Sequence, residues 1–222
     1  MIPALTERYT VVAVDVRGHG QSSNGDSYDP ISTATDVRET LASTGLADID
    51  SALIIGHSLG GIIASAYGAL FPCRGIVNVD QPLRLSGFKD GLSQLEPLLK
   101  GDKASFDTAI DLLFGSMNGA LPDEEVARIS ALRRADPAVV LGVWATVFES
   151  THDELDAQVD AIVGNVTVPY LSLHGIDPGQ DYAAWITSSI PTAKFELWPD
   201  LGHYPHLVQQ ERFLELLASF DA

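Results

Sequence analysis

Residues 51–61, Ser-Ala-Leu-Ile-Ile-Gly-His-Ser-Leu-Gly-Gly, constrain the fold of this 222-residue chain more than any other stretch. An apolar run of strand length stops at Gly56, and a helical pattern opens at Leu59 and continues through Ile62, Ile63 and Ala64. A serine on so tight a strand-to-helix turn is forced into a strained backbone conformation, so its neighbours must be small. Gly56 and Gly60 remove side chains that would collide, and Gly61 allows close packing. The strain exposes the Ser58 hydroxyl. The Leu59 amide, at the helix N-terminus, points at the same spot, where partial positive charge can hold an oxyanion. Gly-x-Ser-x-Gly is short enough to occur by chance, and its meaning comes from the strand before it and the helix after it.

Elsewhere, strand-length apolar runs alternate with longer helical stretches, the pattern of parallel strands joined by crossover helices. Strands are expected over 9–14, 51–55, Gly75–Val79, 168–173 and 193–198, and helices over 31–44, 59–71, 181–189 and 207–220. In the last helix Phe213, Leu216, Leu217 and Phe220 recur at i, i+3, i+4 and i+7, which sets one face against a sheet. The fold class is therefore α/β with a mostly parallel, doubly wound sheet. Residues 82–165 break the rhythm. Leu95, Leu98 and Leu99, then Phe106, Ile110 and Leu113, then Val126, Ile129 and Leu132 fall at helical spacing, with a turn around Gly115, Gly119 and Pro122. The expected organisation is a core of 1–81 and 166–222 carrying a helical insertion over 82–165.

Composition narrows the partners. Thirteen basic against thirty acidic side chains give a formal charge of -17, which repels phosphate backbones and anionic lipid surfaces. Neither nucleic acid nor a membrane is an expected partner. Cys73 stands alone, so no internal disulfide is available, and it has no metal-ligand spacing around it. It reads as a small buried filler. The first residues lack the pattern of a signal peptide, and no apolar stretch approaches the roughly 20 residues of a spanning helix. A cytoplasmic protein without metal or cofactor is expected.

A serine hydroxyl is a poor nucleophile at neutral pH and needs a base, which in turn needs an orienting carboxylate. Asp177 follows the strand at 168–173, at the carboxyl edge where open α/β sheets bind ligands. His203 follows the strand at 193–198. Ser58, Asp177 and His203 thus form the expected triad. Asp80, just past Gly75–Val79, is the alternative acid. His206 competes for the base from the start of the last helix. His57 and His174 are expected to line the pocket or brace its loops.

Asp15-Val16-Arg17-Gly18-His19-Gly20-Gln21-Ser22 resembles the Asp-x-Arg-Gly-x-Gly-x-Ser turn of the α/β-hydrolase superfamily. Gly56 to Gly61, Asp177 and Gly202-His203 resemble its nucleophile elbow, acid loop and histidine loop. The agreement runs from about Pro3 to the C-terminus and points to the small, cap-bearing, cofactor-free serine hydrolase branch. The resemblance implies that the insertion is a lid over the site. The family places further strands and a His-Gly loop before the segment that residues 1–9 resemble, and that loop supplies the second oxyanion donor. These lie outside this sequence, so the expectation is a sequence that is truncated or begins at an internal Met of a longer protein. A missing strand between 9–14 and 51–55 would leave backbone groups unpaired, a gap that a partner chain in a homo-oligomer could fill.

The expected activity is hydrolysis of an ester, lactone or similar small carbonyl compound through an acyl-enzyme. The related dehalogenases and epoxide hydrolases resemble this fold but carry aspartate at the elbow. Carbon–carbon bond hydrolysis and perhydrolysis use the same triad and stay open, as does a non-catalytic or very slow ligand-binding role. An apolar substrate is expected from the aromatic residues of the insertion, with His57, Phe114, Trp144 and Phe148 as pocket candidates.

Overall fold

The computed structural model describes residues 1–220. Four strands, β1 (Leu53–His57), β2 (Gly75–Val79), β3 (Tyr170–His174) and β4 (Ala193–Leu197), form one sheet in sequence order. All three pairings are parallel, with Leu53 opposite Gly75, Ile76 opposite Tyr170 and Tyr170 opposite Ala193. Every residue of β2 and β3 is buried, as expected of parallel strands covered on both faces.

One face of the sheet packs on α2 (Pro30–Ser43), α3 (Leu59–Leu70) and α9 (Tyr182–Ser189), through Ala34, Ile63, Tyr67, Ile76, Tyr170 and Ile186. Cys73 joins this core. Burial raises its thiol pKa to about 11, so it stays a neutral filler. The other face sets Val77, Val79, Leu171 and Leu173 against Trp198 and against Phe213 and Leu217 of α11 (Gln210–Phe220). Met1 and Leu5, at and within the short α1 (Ile2–Thr6), pack at the margin of that cluster. The expected helix at 207–220 is divided into α10 (Pro205–Val208) and α11. Helix α2 starts where its chemistry dictates: the Asp29 carboxylate accepts the Ser32 N–H at 2.9 Å and Pro30 stands at the first turn.

The strand expected at 9–14 does not form. These residues lie outside the sheet, with Val12 packed against the first core cluster. Their β-branched composition has value only when a neighbour supplies ladder bonds and a pleated surface, and β1 is the terminal strand on that side. Its Ile55 is 41% exposed.

Between β2 and β3 the chain runs through α4 (Ser86–Leu99), α5 (Lys103–Gly115), α6 (Asp123–Leu132), α7 (Pro137–Glu149) and α8 (His152–Val163). They bury a cluster of their own, with Leu92, Leu99, Phe106, Ile110, Val147 and Leu155 at its centre. Among the described residues no helix is long and apolar enough to cross a membrane.

Candidate active site

Ser58 follows β1 directly and sits at φ 54° and ψ -129°, a left-handed conformation that costs a non-glycine residue on the order of 1–3 kcal/mol. The surrounding structure holds it there: its N–H donates to Val79 O at 3.0 Å, and its own carbonyl accepts the Gly61 N–H at 2.6 Å. A Cβ on Gly56 would run into the Gly60 carbonyl, and one on Gly61 into the Asn78 side chain. Gly60 itself faces open space, which corrects the expectation that it too is needed to avoid a clash. Gly56→Ala is expected to lower stability by about 3 kcal/mol, because the obstructing atoms are backbone. Gly60→Ala should be neutral or stabilising by up to about 1 kcal/mol, since a helical glycine gains from a methyl group. Urea midpoints of the two variants check the contrast.

Asp80 comes immediately after β2, also left-handed at φ 53°. Its N–H donates to Leu173 O at 2.7 Å, so it is wedged between the ends of β1 and β3. The carboxylate is 2% exposed. One oxygen accepts the Gly175 and Ile176 N–H groups at 2.6 and 3.0 Å, and the other accepts His203 Nδ1–H at 2.6 Å. Burial works against its charge. The bonds from His203, Ile176 and Gly175 outweigh that and hold its pKa below the ordinary carboxylate value. With the proton fixed on Nδ1, Nε2 of His203 is left as the acceptor.

Asp177 is not the partner of His203. It stands three residues beyond the end of β3, and its carboxylate accepts the Gly179 N–H at 2.9 Å in the exposed turn before α9. The physical reason is sheet order. β2 lies next to β1, so the residue leaving β2 reaches the space beside Ser58, whereas the β3 loop contributes its Gly175 and Ile176 amides to that carboxylate.

Three more histidines surround the pair. His57 Nε2 lies 2.6 Å from His203 O and donates to that carbonyl, an assignment the acceptor dictates. Burial, then repulsion from His203 and His206, lowers its pKa to about 3, so it stays neutral. The His206 ring lies 4.7 Å from that of His57 and is tilted to it by 51°, and burial lowers its pKa to about 4. His174 was expected to line the pocket or brace a loop. It has no exposed surface, bonds Ser172 Oγ at 2.8 Å and stacks on Phe195, with its pKa lowered by burial to about 4.

A cavity of about 1660 Å³ joins these parts, larger than the usual small-molecule pocket of roughly 300–1,000 Å³. Ser58, Leu59, Asp80, His203 and His57 line it from the sheet side, and Phe114 and Trp144 from the helical insertion. Leu59 is the first residue of α3, where an N–H has no intrahelical acceptor. Phe148 does not line the cavity. It packs within the insertion core with Lys100 Nζ 5.1 Å from its ring. His19 does line it, unforeseen from the sequence. Its turn is held by Asp15, which accepts the Gln21 N–H at 3.0 Å, and by the paired bonds of Arg17 to Asp36 at 2.6 and 2.7 Å. The spacing of the glycines in 15–22 was the available signal. Among the described residues no group of His, Cys, Asp and Glu is placed to hold a metal ion.

A profile described as the alpha/beta hydrolase family matches residues 1–216. An uncharacterized protein of Mycobacterium tuberculosis is 39% identical over 69 residues, which span 31% of this chain and 19% of that protein. A soluble epoxide hydrolase of Corynebacterium sp. is 43% identical over 65 residues, 29% of this chain and 22% of that protein. The match thus spans about a fifth of the length of these curated relatives. Among solved structures, Est816, described as an N-acyl homoserine lactone degrading enzyme, superposes with a TM-score of 0.72 at 21% identity, covering 92% of this chain and 80% of its own.

Proposed function

Because the chain belongs to the alpha/beta hydrolase family, we propose that it is a serine hydrolase that cleaves an ester or lactone through an acyl-enzyme, with Ser58, His203 and Asp80 as its triad. The observation that carries this reading is the 2.6 Å bond between His203 Nδ1 and a buried Asp80, in a cavity that the strained Ser58 also lines. Ser58 Oγ attacks the substrate carbonyl while His203 Nε2 takes its proton, and Asp80 stabilises the imidazolium that forms. The Leu59 N–H, at the positive end of α3, holds one side of the oxyanion. His203 then returns the proton to the leaving alkoxide. Water, deprotonated by the same nitrogen, releases the acid and restores Ser58.

The walls favour an apolar acyl or ring-bearing substrate, since Phe88, Phe114, Trp144 and Ile62 line the same cavity as Ser58. The lactone-degrading description of Est816 agrees with this class. The helical insertion acts as the lid that excludes water. An epoxide hydrolase chemistry is disfavoured by the hydroxyl at position 58, because opening an oxirane by an ester intermediate needs a carboxylate nucleophile.

Reaction with a fluorophosphonate probe tests the reading. Wild-type protein should be labelled at one serine, and Ser58→Ala should abolish labelling while leaving the fold intact. Folded wild type that stays unlabelled and turns over neither p-nitrophenyl acetate nor any of a lactone panel would instead support a ligand-binding role.

A further inference from the structure

The backbone of His203 is held by the helical insertion. Its N–H donates to Met117 O at 2.8 Å, and the neighbouring Leu201 O accepts the Ala120 N–H at 3.3 Å. Between these two bonds Gly119 and Gly202 meet, both left-handed at φ 56° and 76°. A Cβ on Gly119 would strike the Cα of Gly202, and a Cβ on Gly202 would come 2.6 Å from the Cα of Gly119 and 2.8 Å from Met117 O. So close a backbone contact admits no side chain on either partner, and it fixes how the 117–120 segment rests on the histidine loop. The carbonyl of His203 is held by His57.

We propose that Gly119, in the insertion and remote in sequence from the triad, is a positioning residue for His203, acting through its contact with Gly202 and the Met117 carbonyl. The inference rests on the reading of His203 as the base. Its consequence is that the segment from Met117 to Ala120 stays docked on the histidine loop during turnover. Any opening of the insertion must hinge elsewhere, because lifting this segment would withdraw the support of the base itself. A displacement of the imidazole by about 1 Å costs on the order of 10²-fold in rate.

The test compares Gly119→Ala with Gly115→Ala, a control in the same insertion where an added Cβ meets open space. Folding is checked by circular dichroism, the rate of fluorophosphonate labelling is measured, and NMR follows the proton between His203 Nδ1 and Asp80. Gly119→Ala is expected to label about 10²-fold more slowly and to broaden that proton line, whereas Gly115→Ala matches wild type. A folded Gly119→Ala protein with wild-type labelling and an unaltered line overturns the inference. If Gly119→Ala does not fold, Ala120→Pro, which deletes the bond to Leu201, is read the same way. A wild type that is never labelled sinks the proposed function, and the proton line then decides alone: broadened in Gly119→Ala it supports the positioning role, unchanged it refutes it.

Discussion

Asp80→Asn is expected to lower kcat/KM for a p-nitrophenyl ester by about 10⁴-fold, the loss seen when a triad aspartate is made neutral and its histidine adopts the wrong tautomer. The size follows from geometry. Asp80 holds Nδ1–H of His203 at 2.6 Å and is fixed by two backbone amides of its own. An amide at position 80 can turn its NH₂ group toward Nδ1, which then must accept, and Nε2 loses its role as acceptor. Asp177→Asn, in an exposed turn, should change kcat/KM by less than about threefold, which is within the range of small surface effects. Steady-state kinetics of the two variants separates them, and a large loss in Asp177→Asn with Asp80→Asn unaffected would reverse the assignment of the acid.

The second large effect is loss of stability in acid. His174, His206 and His57 are neutral in the fold, with pKa values lowered by burial to about 4, 4 and 3 from 6.5. The unfolded chain therefore binds more protons below pH 6.5 than the folded one, and stability falls as pH falls through that window down to the folded values. Each such histidine contributes up to about 1.4 kcal/mol per pH unit. His174, with no exposed surface, carries this fully. His57 and His206 are half-buried near the cavity and contribute less. The depressed Asp80 adds to the loss at still lower pH, as its stabilising charge is removed from the ordinary value of 3.8 down through its lowered folded value. Thermal unfolding followed from pH 7 downward should show a steep decline beginning near 6.5, and His174→Gln should flatten it. A melting temperature that is level to pH 4.5 would contradict the buried neutral histidines.

Most of the architecture was legible because it depends on local pattern. The elbow at 51–61, the runs at Gly75–Val79 and around 168–173, and the final amphipathic helix each carry their own signal of length, branching and spacing. The failure at 9–14 has the opposite cause: a strand is completed by its neighbour, and a β-branched run says nothing about whether that neighbour exists. Phe148 went the same way. At helical spacing an aromatic ring reads alike whether its helix turns it toward a cavity or toward its own core.

The site divides along the same line. By itself the sequence determined Ser58 and its strained turn, because Gly56 and Ser58 act within one short segment, where a Cβ at position 56 meets the Gly60 carbonyl. It also named His203 and both carboxylates that could serve it. Only the tertiary structure showed which of Asp80 and Asp177 bonds His203, and only it brought Gly119 of the insertion against Gly202. Both outcomes depend on which strand lies beside which and on how close two distant backbones come, and spacing along the chain carries no information about either.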